Sequence, residues 1–382
     1  ALRGRFSSLS GVVVAPQHKK HLISAVARSL VLAEGFADAE SAKKRALFLD
    51  FLRHAESPQT DPFVLTGAES VFHSRAFLKI QDGCDNRCAY CRVPLARGAA
   101  VSLAAERVFE HIERLVRNGF REAVLTGVNI SAYQSGPYDL AALLEEAIIK
   151  ANGEIRFRLS SLEPDNFSER LYSVLKDAAI CPHIHLPLQS GSDPVLARMK
   201  RRYRTGTVAQ IAGRIRAERP EAMLAADVIV GFPGETEAEF VETVETIQEI
   251  GFDRLHVFPF SKRPGTEADA MSDFVPDATI RKRVATLLAL SRVSYESFLN
   301  GMKGAIVDVI MEREMGRDTF IGSSGQSVKC RVRGIPRPLM AKKERIRARI
   351  VRPGDPAGAV YAPAGVESSL SRLPGKMMSE TR

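Results

Sequence analysis

Apolar positions between residues 77 and 259 recur with two alternating periods. Short continuous runs at 77–83, 122–128, 155–161, 183–188, 223–231 and 252–259 predict strands, most of them rich in β-branched or bulky apolar residues with glycine or proline near their ends. Between them apolar residues step by three and four, as at Val108, Ile112, Leu115 and Val116, and predict helices over about 102–118, 139–151, 168–178, 205–218 and 237–250. A last helix is expected at 278–300. Strand and helix repeated six times predict an α/β fold with a parallel sheet and right-handed crossovers, which an incomplete (β/α)6 barrel fits.

The flanks read differently. A single β–α unit is expected at 11–34, followed by a polar linker over 35–72 broken by Pro58, Pro62 and Gly67. Short β-like runs at 305–311 and 345–351, separated by Gly- and Ser-rich turns, predict a small β-barrel-like domain. The second run alternates cation with apolar residue, which in a strand puts the cations on one face. The expected organisation is therefore 1–72 (end of an α/β domain plus linker), 73–303 (core), 304–365 (small β domain) and 366–382 (disordered tail).

Charge sharpens this picture. The 54 basic and 45 acidic residues give a net charge of +9, and ten Lys or Arg against one acid fall between Lys329 and Arg352. That excess favours an anionic partner for the small domain. No apolar run reaches the length of a membrane helix. Three of the five cysteines are clustered, which speaks against a disulfide scaffold and for a reducing, cytoplasmic compartment. The Arg- and Ser-containing start at 1–8 is read as the end of a preceding helix or loop rather than a targeting peptide, and the absence of an initial Met fits a start inside a longer protein.

Cys84-x3-Cys88-x2-Cys91 follows the first core strand. Three thiolates at this spacing can close around one face of a cubane iron–sulfur cluster and leave the fourth iron open to a small molecule. A closed zinc site wants four ligands, and no second pair is present. Disulfide pairing would leave one of the three alone. The other polar motifs also end strands: Gly127 and Asn129 after the second, Ser161 and Glu163 after the third, Gln189 and Ser190 after the fourth, Gly231 and Gly234 after the fifth. The carboxyl ends of barrel strands are where active sites form.

The cysteine spacing, with Tyr90 just before the last cysteine, resembles the signature of radical S-adenosylmethionine (SAM) enzymes. The context is sharper. Ile80-Gln-Asp-Gly-Cys-Asp-Asn-Arg-Cys88, Leu125-Thr-Gly-Val-Asn129, Arg158-Leu-Ser-Ser-Leu-Glu-Pro164, His185-Leu-Pro-Leu-Gln-Ser-Gly-Ser-Asp193 and Asp227-Val-Ile-Val-Gly-Phe-Pro-Gly-Glu235 are similar, in order and spacing, to the tRNA methylthiotransferases. The nearest branch is the one that acts on N6-threonylcarbamoyladenosine at position 37; the resemblance runs over about 11–300 and more loosely to 362.

The resemblance implies the incomplete barrel, a [4Fe-4S] cluster on Cys84, Cys88 and Cys91, and SAM whose amino and carboxylate groups bind the open iron. It implies that Tyr90 lies near the adenine, though a core aromatic is the alternative, and that Gly127 and Asn129 lie beside the methionyl amino group. Glu163 is expected either to accept from a ribose hydroxyl or ammonium, or to cap the helix starting near Asn166; Gln189 and Ser190 face the methionyl end or the target base. Gly231 belongs to an adenine-side turn or a plain strand–helix turn. Asp82, Asp85 and Arg87 read as loop polarity, His183 and His185 as hydrogen-bonding groups on one face of a strand, and Cys181 and Cys330 as small buried hydrophobes. The basic run at 200–204 reads as a tRNA phosphate contact or a solvated helix start.

The implied reaction begins with one-electron cleavage of SAM, fed by a donor such as flavodoxin or ferredoxin. Hydrogen is then taken from C2 of the adenine, and sulfur enters with a methyl group from a second SAM. The implied partner is a tRNA anticodon loop, met by an RNA-binding β domain. The family also holds a second [4Fe-4S] cluster on three more cysteines in an N-terminal domain, yet residues 1–83 hold none. The expectation is that those ligands fall upstream of Ala1, or that the chain is a degenerate homologue that cleaves SAM without inserting sulfur. Isopentenyladenosine, a ribosomal-protein aspartate, and an RNA-binding module with a structural cluster remain the other readings.

Overall fold

The computed structural model describes residue 63 and residues 74–316, 318–336, 339 and 343–363. The chain divides into two units, 1–71 and 72–382, and all described residues but Phe63 belong to the second. The β–α unit expected at 11–34, the linker and the 366–382 tail lie outside the described residues.

Six parallel strands, β1 (Ala76–Lys79), β2 (Glu122–Thr126), β3 (Arg156–Leu159), β4 (His183–His185), β5 (Met223–Val230) and β6 (Arg254–Pro259), follow one another in chain order. They form two three-stranded ladders, β1-β2-β3 and β4-β5-β6, and a bridge between Phe157 and Ile180 links the two. No ladder joins β6 to β1, so the wall stays open: this is the incomplete (β/α)6 barrel. The intervening helices are α1 (Ala105–Arg117), α2 (Leu140–Ala151), α3 (Glu169–Leu175), α4 (Thr205–Glu218), α5 (Glu237–Ile250) and α6 (Asp277–Gly301). Leu78, Leu125, Phe157, Ile184 and Val228 are at most 1% exposed. Helices outside and side chains inside bury both faces of such strands, so they read as continuous apolar runs.

All six strands are shorter than the sequence suggests, and in two of them the local reason is plain. β1 leaves the sheet after Ile80 because Gln81 and Asp82 pair antiparallel with Val101 and Ser102. β4 stops at His185, ahead of Pro187, which lacks the N–H a ladder needs. Helix α5 begins with a complete capping box between Thr236 and Glu239 and ends on left-handed Gly251. Two short helices, Val93–Arg97 and Asp193–Arg198, each with proline in the first turn, lie outside the expected set.

Strands β7 (Ile306–Gly316), β8 (Thr319–Ser324), β9 (Lys329–Arg333), β10 (Arg345–Arg352) and β11 (Ala357–Tyr361) close a small barrel in the order β7-β8-β9-β11-β10. The alternation in β10 is realised: Ile346, Ala348 and Ile350 point into the barrel core, while Arg345, Arg347 and Arg349 point out. Two of those cations hold the fold together, Arg345 on the Gly153 carbonyl at 2.9 Å and Arg349 on the Gly304 carbonyl at 3.0 Å.

The two barrels are joined by a buried polar knot. Glu122 accepts from Arg156 at 2.7 Å and from Arg158 at 2.8 Å. Arg156 then donates to the carbonyls of Asp308 and Ser323, and Arg158 to those of Ser324 and Gly325. Arg158 opens one of the motifs that carry the family resemblance, and its work here is interdomain.

Candidate active site

The cysteine loop leaves the sheet at Gly83, where φ is +68° and a Cβ would sit 1.9 Å from the Ala99 carbonyl oxygen, so only glycine fits. Gln81 staples the loop to the end of β2: its amide donates to the carbonyls of Asp82 and Gly83, and its Oε1 accepts from the Asn129 N–H at 2.7 Å. Asp82 is more than loop polarity. It is 5% exposed, pairs with Lys79 at 2.5 Å and Arg97 at 3.0 Å, and accepts from the Gly83 N–H. Farther along, the Ala89 N–H donates to the Met199 carbonyl and the Ala89 carbonyl accepts from Ala268.

Cys84, Cys88 and Cys91 are half-buried on this loop, and each sulfur accepts one N–H. The donors are the Asn86 backbone to Cys84 at 3.4 Å, Arg201 to Cys88 at 3.1 Å, and the Val93 backbone to Cys91 at 3.5 Å. Such hydrogen bonds stabilise thiolate character and tune cluster potential. Burial pushes the Cys84 and Cys88 thiols up, while Arg201 acts against that rise at Cys88. Among the described residues the three sulfurs belong to no group of donor atoms lying within 4.8 Å of one another. A lone ion requires such convergence, whereas a cluster takes each thiolate on a separate iron. The donor set fits the cluster.

Three cavities flank the loop, the smallest, of 330 Å³, lined by Tyr90, Cys91 and Arg97 among others. One, of 560 Å³, is lined by Cys84, Asn129, Ser131, Tyr133 and Asp165 among others. Asn129 Oδ1 and Asp165 Oδ1 are buried there without a hydrogen-bond partner. Two orphaned acceptors beside the cluster loop suit a bound cationic group such as an ammonium. The second cavity, of 460 Å³, is lined by Tyr90, Gln189, Asp227, Phe258, Phe260 and Arg263. Gln189 turns into it from a left-handed backbone, φ +65°.

The other expected site residues also have partners within the fold. Tyr90 packs edge-on against Phe232 and its hydroxyl lies 3.4 Å from Arg201. Gly127 has its Cα pressed against Gln81, where a Cβ would come within 2.8 Å. Glu163 makes no side-chain cap; it is ion-paired with Arg201, and burial pushes its carboxyl up despite that partner. Ser190 is fully buried against Thr243 of α5. Gly231, φ +79°, gives its N–H to Glu235 at 2.7 Å, and Glu235 pairs with Arg283 of α6, so 231–235 is a turn clamped to a helix. His183 is held neutral, pushed down to about 3 by burial and by the Arg158 guanidinium. Cys181 and Cys330 are buried at 1% and 0% exposure.

Sequence reasoning missed Arg201 and Asp165. The run at 200–204 read as a phosphate contact, yet Arg201 is 4% exposed and joins Cys88, Tyr90 and Glu163. Arg201→Gln is expected to leave the iron content unchanged and to lower the cluster's potential by about 60 mV, one charge-assisted hydrogen bond's worth. A redox titration followed by electron paramagnetic resonance reads the shift, and an unchanged potential would show that the arginine only fills space.

Residues 78–247 match the family model described as the Radical SAM superfamily. Its cofactors are a [4Fe-4S] cluster and SAM. The chain's relatives are tRNA methylthiotransferases. The threonylcarbamoyladenosine tRNA methylthiotransferase MtaB of Treponema pallidum is 42% identical over 255 residues, 67% of this chain and 53% of the relative. The tRNA-2-methylthio-N(6)-dimethylallyladenosine synthase of Jannaschia sp. is 36% identical over 282 residues, 72% of this chain and 60% of the relative. The chain thus spans little more than half the length of these curated relatives. Among solved structures, the radical SAM methyltransferase TsrM from Kitasatospora setae aligns with a TM-score of 0.45 at 17% identity, covering 50% of this chain and 38% of that one. No helix among the described residues is long and apolar enough to cross a membrane.

Proposed function

We propose that this chain carries the radical core and the RNA-binding barrel of an enzyme that places a methylthio group on C2 of N6-threonylcarbamoyladenosine at position 37 of tRNA. The observation that carries the reading is the loop at the carboxyl end of β1, where three sulfurs each receive an N–H beside a cavity with two orphaned acceptors. When bound, a reduced cluster on Cys84, Cys88 and Cys91 supplies one electron to the sulfonium of SAM, which makes an adenine C–H bond breakable.

The chain's own residues do the placing. Asn129 and Asp165 accept from the methionyl ammonium, their buried oxygens gaining the partner that no protein group provides. Arg201 holds Cys88 and Glu163 in one network, which fixes the loop relative to β3. Tyr90, Phe258 and Phe260 wall the second cavity, where aromatic faces exclude water and stack a splayed base, the usual mode for single-stranded RNA. Arg331 and Arg333, on the outer face of β9, meet the phosphates around that base. Residues 1–83 hold no cysteine, so the sulfur-insertion cluster lies outside what these residues do.

The choice of threonylcarbamoyladenosine rests on the name of the 42%-identical relative, and the 36%-identical dimethylallyladenosine synthase supports the second reading, an isopentenyl-type base. Nucleoside mass spectrometry of tRNA from a deletion strain decides between them. The methylthio derivative of threonylcarbamoyladenosine is expected to vanish, and its persistence would remove the leading reading. Asn129→Ala is expected to raise the KM for SAM about tenfold, one hydrogen bond to a charged group, with iron content unchanged. Steady-state formation of 5′-deoxyadenosine measures it; an unaltered KM would place the ammonium elsewhere.

A further inference from the structure

The inner wall formed by β4, β5 and β6 presents three ligating side chains that the proposed function leaves unused. His256 stands directly opposite Asp227 in the β5–β6 register, and His185 stands opposite Ala225, two residues back and therefore on the same face. Each of three adjacent strands thus contributes one nitrogen or oxygen donor to one spot. All three donor atoms lie within 4.8 Å of one another, the one such group among the described residues.

We propose that His185, Asp227 and His256 bind a single divalent transition-metal ion, zinc or ferrous iron, with a coordination position open to the 460 Å³ cavity.

The distances favour shared coordination. With metal–ligand bonds of about 2.1 Å, neighbouring ligand atoms stand about 3.4 Å apart at tetrahedral angles and about 3.0 Å apart at octahedral ones. Asp227 Oδ1 lies 3.0 Å from His185 Nε2 and 3.4 Å from His256 Nδ1. His185 Nε2 is fully buried and meets that oxygen outside good hydrogen-bond geometry, yet both histidines act on Asp227, whose carboxyl they lower against the effect of burial. The two imidazoles meet edge to face, 5.0 Å between centroids and 77° between planes, so neither stacks over the position between them.

Two imidazoles and one carboxylate form a borderline donor set that takes zinc or ferrous ion, and three protein ligands leave room for an exogenous one. Of the three, Asp227 lines the 460 Å³ cavity, together with Gln189 and Tyr90, and gives the site its access to it. An oxygen donor, a carboxylate or hydroxyl of whatever enters the cavity, is the class of ligand that completes such a shell. The alternation of His183 and His185 favours hydrogen bonding over metal binding when read from the sequence. The third ligand arrives 71 residues later in sequence, on β6, and only the register brings it in.

The test uses the full chain with its cluster reconstituted anaerobically, incubated with zinc sulfate and freed of excess by gel filtration. Elemental analysis is expected to give about one zinc per chain beside the cluster iron. Asp227→Ala and His256→Gln are each expected to lower zinc by at least about tenfold while iron stays constant. In the Cys84→Ala/Cys88→Ala/Cys91→Ala chain, zinc is expected to remain near one per chain, which separates this site from zinc held by the cysteines and from failure of the cluster reading. Zinc should raise the melting temperature of the parent chain but not of His256→Gln, with matching circular dichroism showing that the variant is folded. Absence of zinc from the parent chain, retention of zinc by both variants, or its loss with the cysteines overturns the proposal.

Discussion

Replacing Cys88 with alanine is expected to cut bound iron from about four per chain to below one and to lower 5′-deoxyadenosine formation by at least about 10³-fold. The size follows from what that sulfur does. It is one of three thiols on the loop, so its loss leaves a cluster with two protein ligands and opens a second iron to solvent. It is also the sulfur held by Arg201, whose other nitrogen is committed to Glu163. Without the thiol a buried guanidinium loses a partner, and the network that positions the loop loosens. Iron assay and the cluster's absorbance read the first effect, and chromatographic detection of 5′-deoxyadenosine reads the second. Cys181→Ala serves as the control, because that cysteine is buried away from the loop and should keep its iron. A Cys88→Ala chain that retains four irons, or a Cys181→Ala chain that loses them, would overturn the assignment of the site.

The contrast between these two cysteines shows what the sequence made legible. Cys84, Cys88 and Cys91 fall within eight residues, so their chemistry is encoded in spacing alone. The barrel was legible for a similar reason: periodicity is a local property, and six strands with helices between them could be read without knowing which strand pairs with which. Arg201 was opaque because its partner thiol lies 113 residues away, and a run of cations gives no sign that one of them turns inward. Ser190 and Gly231 sit in motifs at strand ends, and each has a partner the motif does not announce: the Ser190 hydroxyl meets Thr243 of α5, and the Gly231 N–H is held by Glu235. Short polar residues at the top of a barrel serve helix packing as often as ligand binding, and only the partner decides which. The same holds for Arg158, whose carbonyl partners on Ser324 and Gly325 belong to another domain.

Glu122→Gln is expected to destabilise the chain by about 3–5 kcal/mol, the usual consequence of removing one partner from a buried ion cluster. The carboxylate is 0% exposed, its two oxygens take Arg156 and Arg158 separately, and Arg75 stands 3.8 Å away as a third cation. Glutamine keeps the volume, but it offers one acceptor and turns an NH₂ toward a guanidinium. Both arginines also hold carbonyls of β7 and β8, so the loss should spread to the docking of the small barrel. Urea denaturation followed by circular dichroism measures the destabilisation, and limited proteolysis between α6 and β7 reports undocking. Acid supplies an independent reading. Burial by itself would raise the carboxyl of Glu122, but Arg156 and Arg158 overcome it and hold the folded value below the ordinary 4.5. A depressed carboxyl contributes its stability in full above pH 4.5 and loses it as pH falls below that, toward the folded value. The parent chain should therefore lose stability more steeply below pH 4.5 than Glu122→Gln, which has no proton to take up there. Parallel acid profiles, or a destabilisation under about 1 kcal/mol, would show that the two barrels are held by apolar packing and that the knot is incidental.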